Sequence, residues 1–206
     1  MIGVVDVGLG NIASVHNMFG RLGILARAVL GPEDIHGLDG LVLPGVGSFD
    51  TGTTSLHRAE LFDPVRKAAA DGLPTLGICL GMQLLCESSE EGTTEGLGVF
   101  PSKVRSLTHA RPHSVVPHVG WAGITTVGDS PLFDSSEPER FYFTHSFAVA
   151  ADADSTVATC DYDSVPFAAA LREGSVFAVQ FHPEKSHVFG MRVLERFWEG
   201  PCRGTG

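Results

Sequence analysis

The segment Gly77-Ile78-Cys79-Leu80-Gly81 places a thiol between two glycines, directly after an apolar run that is typical of a buried strand. A Gly-x-nucleophile-x-Gly turn between a strand and a helix strains the backbone, and the glycines leave room for that strain. The first amides of the following helix would point at the thiol, where their partial positive charge favours a thiolate and stabilises an oxyanion. The turn therefore predicts a nucleophile, although a cysteine taken alone is also compatible with a buried core position.

A cysteine nucleophile needs a base that removes its proton and an acid that orients the base. His182 and Glu184 fit these roles because they follow the apolar run 177–181 and flank Pro183, which holds both in a rigid turn. Since active sites of open α/β sheets lie at the carboxyl ends of strands, we expect Cys79 and His182 to meet there. A polar turn without catalytic function is the alternative reading of His-Pro-Glu.

The segment Leu43–Ser48 adds a proline and two glycines after another buried strand. A backbone amide in such a turn can point at a developing oxyanion. We therefore predict that the amides of Val46 and Leu80 form an oxyanion hole. A tight turn without catalytic function would explain Pro-Gly-x-Gly equally well.

Two further segments contain residue types found in ligand sites, but their spacing does not support a nucleotide site or a metal site. The turn 6–11 lacks the third glycine of a dinucleotide fingerprint because Ala13 stands there, so we interpret it as a packing turn in which Asn11 caps a helix. Prolines between three histidines break any helix that would gather their rings around a metal ion. We expect these histidines to be solvated loop residues, with no metal and no cofactor; they are His109, His113 and His118.

Composition narrows the class of protein. With 206 residues, of which 43% are hydrophobic, the chain is long enough for one sizeable core, so we expect a single domain over 1–206. A formal net charge of -10 with only 14 Lys and Arg argues against a nucleic-acid partner. The sequence shows no basic leader and no apolar run near ~18 residues, which favours a cytoplasmic protein without membrane association. Four scattered cysteines indicate reduced thiols.

The elements that must position these residues alternate between short β-branched runs and helical patterns, as in βαβ units. We expect an α/β fold with a mostly parallel central sheet flanked by helices, and an added antiparallel portion in the β-rich second half. The predicted strands cover 2–7, 24–30, 41–43, 74–78, 141–143, 167–171 and 176–181, with a hairpin at 172–175. The predicted helices cover 11–22, 61–70, 80–86 and a final helix that Ser186 caps and Gly200 ends.

Two motifs, Gly77–Gln83 and Gln180–Glu184, resemble the class I (triad) glutamine amidotransferases, and the resemblance extends over nearly the whole chain. It implies a flavodoxin-like α/β fold. Within that family, Lys185 is similar to a lysine of the glutaminase subunits of imidazole glycerol phosphate synthases, since other class I members usually lack it. Similarity to the same subunits continues in 6–11, 117–121 and 143–146, whereas Ala122 and Leu9 replace an Asn and a Pro that are common there.

The resemblance implies an enzyme that hydrolyses L-glutamine to glutamate and ammonia. The ammonia would pass to a (β/α)8 cyclase partner, which forms imidazole glycerol phosphate and aminoimidazole carboxamide ribotide in histidine biosynthesis. A glutaminase for anthranilate or pyridoxal phosphate synthesis and a cysteine-elbow hydrolase or peptidase are the alternatives. We also expect weak glutaminase activity without the partner, because the loop 44–47 can hold its amide in the wrong direction.

The resemblance also assigns residues to the substrate and to the partner. The implied substrate contacts are Gly47, Gln83, His145 and Ser146. The implied partner-facing residues are Asn11, Trp121 and Lys185. Their residue types alone also fit a helix cap, a core lid and a solvated charge.

Overall fold

The predicted alternation of strands and helices is present in the computed structural model, which describes residues 1–110, 112–134, 136 and 138–204. The strands are β1 (Ile2–Val5), β2 (Ala26–Val29), β3 (Gly40–Gly45), β4 (Thr75–Cys79), β5 (Cys86–Ser89), β6 (Phe100–Ser106), β7 (His118–Gly123), β8 (Thr125–Thr126), β9 (Arg140–His145), β10 (Phe147–Val149), β11 (Thr156–Tyr162), β12 (Val165–Glu173) and β13 (Val176–Val179). The helices are α1 (Ile12–Arg21), α2 (Phe49–Arg58), α3 (Phe62–Ala70), α4 (Leu80–Leu84), α5 (Leu107–Ala110) and α6 (His187–Phe197). Short 3₁₀ turns cover Pro32–Ile35 and Pro183–Lys185, and a π-helical turn covers Trp198–Cys202.

The central sheet of the described residues has eight strands in the order β2-β1-β3-β4-β13-β12-β11-β8. The strands from β2 to β13 in this order pair in parallel, and β12, β11 and β8 continue the sheet antiparallel. With β13 as its fifth strand, the parallel part has the strand order of flavodoxin-like folds. The α/β class and the antiparallel addition are therefore confirmed. Smaller sheets pair β10, β6 and β5, and β7 with β9.

Both faces of the parallel strands are apolar because helices cover both of them. Val4 and Val42 face a core that includes α1 and α6, whereas Val5, Leu41 and Leu43 face a second core with α2, α3 and α4. Neighbouring residues of a strand thus alternate between the cores, as the two-residue period of a strand requires. The sheet is held rigidly between two helical layers, which steadies the loops at its carboxyl edge.

Several predicted elements differ from the structure. The helix predicted over 80–86 ends at Leu84, and Cys86 begins a strand beside β6. The sequence pattern missed α2, whose buried Phe49, Gly52, Thr53 and Leu56 include polar and small residues. No helix in the described ranges has both the length and the apolar character needed to cross a bilayer.

Candidate active site

Cys79 is the last residue of β4, and α4 begins with the next residue. Its backbone has φ 53° and ψ -107°, outside the regions that residues with a Cβ normally adopt. The glycine at 81 is needed because a Cβ there would lie 1.7 Å from the carbonyl oxygen of Leu43 on β3. The strained turn expected from the glycine spacing is therefore present, and strain of this kind is concentrated at functional sites.

His182 reaches the same edge of the sheet because β13 pairs in parallel with β4, with Val179 opposite Ile78. Its backbone N–H donates to the carbonyl of Tyr142 at 2.9 Å, which ties the turn to β9. Ser186 lies at the N-cap position of α6 but does not cap it, contrary to the prediction. Its hydroxyl donates to the His182 carbonyl at 2.6 Å and accepts from the Tyr142 N–H at 3.0 Å, so Ser186 braces the His182 turn instead.

His182 and Glu184 form a buried pair. His182 Nδ1 lies 2.7 Å from Glu184 Oε1, and the two side chains are 1% and 5% exposed. Burial lowers the pKa of His182, but its interactions with the Cys79 sulfur and with Glu184 outweigh the burial and raise that pKa to about 9. His182 Nε2 is buried without a hydrogen-bond partner in the resting geometry, although Cys79 is near enough to affect its pKa.

A cavity of about 270 Å³ opens beside Cys79. Its volume is just below the ~300–1,000 Å³ typical of sites for drug-sized ligands, which suits a molecule of amino-acid size. All the residues predicted for the oxyanion hole and for substrate contact line it: Val46, Leu80, Gly47, Gln83, His145 and Ser146. Glu91, which was not predicted from the sequence, also lines the cavity. Its carboxylate accepts from the N–H of Phe49 at the start of α2 at 2.8 Å. No sequence pattern in this acidic loop singles out Glu91 from its neighbours as a cavity residue.

The hydrogen bonds of Gln83 within the protein determine which of its donor and acceptor atoms remain available to a ligand. Its Nε2 donates to the carbonyl of Phe147 at 3.0 Å and to Gln180 Oε1 at 3.2 Å. Both amide hydrogens are thus committed to the protein. The residue type suggested that Gln83 both donates to and accepts from a substrate, but in this structure only Oε1 remains available, as an acceptor.

The predicted oxyanion residues come from the start of α4 and from the turn after β3. Leu80 is the first residue of α4, where backbone N–H groups have no partner within the helix. Val46 and Gly47 follow β3, and Gly47 has φ 111°, a conformation that favours glycine. The parts required for acyl transfer to a thiol are a nucleophile, backbone amides beside it and a base with a carboxylate behind it. Cys79 and the two predicted oxyanion residues line the cavity, and His182 with Glu184 lies near the Cys79 sulfur.

Comparison with known proteins identifies the family of this chain. The family model described as "Glutamine amidotransferase class-I" matches residues 4–199, almost the whole chain. The chain belongs to this family. Among its relatives is the imidazole glycerol phosphate synthase subunit HisH of Prochlorococcus marinus (strain MIT 9211), 41% identical, with 94% of this chain and 91% of the relative covered. HisH of Geobacillus thermodenitrificans (strain NG80-2) is 43% identical, with 96% and 94% covered.

Solved structures support the fold of this amidotransferase. A structure titled "Crystal structure of glutamine amidotransferase" has a TM-score of 0.74 at 22% identity and covers 98% of each chain. "Structure of PurLQS from Thermotoga maritima" also has a TM-score of 0.74, at 19% identity, with 96% and 97% covered. At these identities the likeness concerns the fold alone.

Three histidines of this amidotransferase were predicted to be solvated, and for His118 that prediction is wrong. His118 is 4% exposed and stacks between Phe143 and Tyr162, with ring centroids 5.1 and 4.1 Å away. His118 Nδ1 lies 3.1 Å from His145 Nε2. Burial lowers the pKa of His118 to about 4 and that of His145 to about 3. His109 and His113 are exposed, and no group of three metal-ligating side chains converges within the described part of the chain.

The other three cysteines of this amidotransferase have thiols that resist ionisation. Burial is the main cause that raises the pKa of the thiols of Cys86, Cys160 and Cys202 to about 12. Thiols with such pKa values stay protonated at neutral pH and react slowly. Chemical labelling of these three cysteines should therefore be slow.

The predicted partner-facing residues fall into two places. Trp121 is 42% exposed on β7 and stacks on His187 with centroids 5.6 Å apart. Tyr142 lies between Trp121 and Lys185: its ring is 6.3 Å from the Trp121 ring and 5.7 Å from Lys185 Nζ. Asn11 is exposed at the start of α1, where its Oδ1 accepts from the N–H of Ser14 at 3.2 Å, so its predicted role as a cap is confirmed.

A larger groove of about 1270 Å³ lies at the other end of the sheet. Leu38 and Asp39 before β3, and Leu73 and Pro74 before β4, line it. These are the amino ends of parallel strands, whereas ligand sites of such sheets form at the carboxyl ends. The smaller cavity beside Cys79 is therefore the candidate active site.

Proposed function

We propose that this protein is the glutaminase subunit of an imidazole glycerol phosphate synthase. It hydrolyses L-glutamine to glutamate and ammonia with Cys79, His182 and Glu184, and the ammonia passes to the cyclase subunit. The observation that carries the proposal is the strained Cys79 beside a His182 whose Nδ1 is held 2.7 Å from buried Glu184. Relatives that carry the name of that synthase subunit favour it over an anthranilate or pyridoxal phosphate synthase.

The proposed reaction is acyl transfer through a thioester. The Cys79 thiolate attacks the side-chain amide carbon of glutamine, and the amides of Val46 and Leu80 stabilise the oxyanion. When the C–N bond breaks, His182 Nε2 gives its proton to the leaving ammonia. His182 then takes a proton from a water molecule as that water attacks the thioester carbon. The C–S bond breaks, which releases glutamate and restores the Cys79 thiolate. Glu184 keeps the proton on Nδ1, so Nε2 faces the reaction.

Cavity-lining groups complement the charged ends of an amino acid. We propose that the carboxylate of Glu91 and Oε1 of Gln83 accept hydrogens from the α-ammonium group, because both are acceptors at the same cavity. The backbone of Gly47, Ser146 and the ring of His145 complete the substrate contacts.

The proposed partner is a (β/α)8 cyclase subunit, and the proposed contact surface includes Trp121 and Lys185. An exposed Trp, rigid and large in area, is the residue type that most often anchors an interface. Lys185 directly follows Glu184, so a partner that binds Lys185 lies one residue from the proposed catalytic pair. Asn11 is proposed as a further contact at the start of α1.

The nucleophile is tested by incubation with a diazo ketone analogue of glutamine, followed by peptide mass mapping. We expect one covalent adduct, on Cys79, and loss of glutamate release in Cys79→Ser by at least about 10³-fold, because a hydroxyl lacks the acidity of a thiol. Cys160→Ala is the matched control, since Cys160 is buried outside the cavity. An adduct on another cysteine, or a near-normal rate in Cys79→Ser, contradicts the proposal.

The partner is tested by mixing the protein with the cyclase subunit from the same genome. We expect copurification and a higher glutaminase rate in the complex than in the free subunit. Trp121→Ala is expected to weaken the complex by at least about tenfold, as is typical of a truncated interface anchor. Leu25→Ala is the control because Leu25 is 76% exposed outside the proposed surface. Equal, high activity of the free subunit argues against activation by the partner.

A further inference from the structure

Gln180 is a buried polar residue that has no role in the proposed triad mechanism. It is 0% exposed and lies two residues before His182, just beyond β13. Its backbone N–H donates to the carbonyl of Ala169 on β12 at 2.9 Å, which fixes its position in the sheet. Its side-chain Nε2 lies 3.7 Å from Cys79 Sγ, within hydrogen-bonding distance for sulfur.

The orientation of the Gln180 amide follows from its neighbours. A backbone carbonyl only accepts, so the carbonyl of Phe147 requires Gln83 to present its NH₂ group. The same NH₂ group donates to the oxygen of Gln180 at 3.2 Å. The Gln180 nitrogen must then face Cys79, because a reversed amide would place two NH₂ groups against each other.

We infer that Gln180 is a positioning residue that holds the Cys79 sulfur in its reactive, deprotonated form by donating an amide hydrogen to it. A hydrogen bond to the charged form of a group favours that form, and it is strongest where water is excluded. The anchored amide also restricts the rotation of the Cys79 side chain about its strained backbone. The inference rests on the proposed function only for the role of Cys79 as nucleophile.

Other titratable groups also lie near this sulfur. His182 approaches it from the turn after β13, with Glu184 behind the ring, and His145 on β9 and Glu91 line the same cavity. These groups remain in a variant that changes only position 180. A shift in that variant can therefore be assigned to the loss of the Gln180 side-chain amide.

The test is the rate of Cys79 alkylation by iodoacetamide as a function of pH, with the full chain and peptide mapping of the modified cysteine. We expect Gln180→Leu to move the midpoint of this curve upward by about one to two pH units, which lowers the rate by about 10- to 100-fold at pH values below the wild-type midpoint. Gln180→Met, which has a similar length without a donor or a charge, is expected to shift the midpoint in the same direction.

Thr75→Val is the matched control, because Thr75 is also 0% exposed and makes a side-chain hydrogen bond at the opposite end of β4. It should leave the midpoint unchanged. The inference is overturned if folded Gln180→Leu and Gln180→Met proteins keep the wild-type midpoint, or if Thr75→Val shifts it equally. Glutamate release by the wild-type protein is measured separately, so failure of the proposed function would leave the alkylation result intact.

Discussion

The substitution His118→Phe should change how the stability of this protein depends on pH. Burial lowers the pKa of His118 to about 4, from an ordinary value of 6.5. Because the folded-state pKa lies below the unfolded one, the neutral ring contributes stability that is present above pH 6.5 and is lost as the pH falls through about 4. Phenylalanine keeps a planar ring between Phe143 and Tyr162 but has no proton to bind.

The magnitude follows from these two pKa values. At pH 5 the unfolded chain protonates this histidine almost fully and the folded chain hardly at all, so wild type loses about 2 kcal/mol from this group between pH 7.5 and pH 5. The substitution also leaves His145 Nε2 without its partner at 3.1 Å, which costs about 1–3 kcal/mol at every pH. The variant should therefore be less stable than wild type at pH 7.5, and the difference should narrow by about 2 kcal/mol at pH 5.

Urea unfolding at pH 7.5, 6.5 and 5.0, followed by circular dichroism, measures this difference. His113→Gln is the control, because His113 is exposed and its replacement should leave the pH dependence of wild type unchanged. A difference between wild type and His118→Phe that stays constant or widens toward pH 5 would refute the reasoning. It would mean that the folded protein protonates His118 as readily as the unfolded chain does.

Three further outcomes are expected. Glu184→Gln should lower the pKa of His182 from about 9, which NMR titration measures. It should also slow glutamate release by about 10²–10⁴-fold in a coupled assay. An unchanged pKa and an unchanged rate would contradict the pairing of His182 with Glu184. Gly81→Ala should cost at least about 3 kcal/mol or prevent folding because its Cβ would lie 1.7 Å from the Leu43 oxygen, whereas Gly20→Ala, with open space around it in α1, should stabilise by about 0.5–1 kcal/mol. Thermal and urea unfolding decide both. Asn11→Ala should cost about 1 kcal/mol by the same measurement, and no loss would argue against the cap.

The sequence allowed the edge of the sheet that carries the site to be predicted, because local patterns specify it. The glycine spacing around Cys79 indicated a strained turn, and the apolar run before His182 indicated a parallel strand that ends beside it. Polar helices are harder to recognise, and α2 was missed because its buried face includes Gly52 and Thr53. His118 was misread because nothing local shows that Phe143 and Tyr162, 25 and 44 positions later in the sequence, enclose its ring.

Local sequence patterns were sufficient to predict the α/β class, the turn at Cys79 and the residues at the edge of the sheet. These features depend on residue types within a few positions of one another, where backbone geometry links spacing to structure. The partners of those residues become visible in the three-dimensional structure alone. It commits both hydrogens of Gln83 to the protein, brings Glu91 to the cavity and turns the amide of Gln180 toward the sulfur. The direction of a hydrogen bond depends on which groups from distant elements come into contact. A local sequence pattern does not specify those contacts.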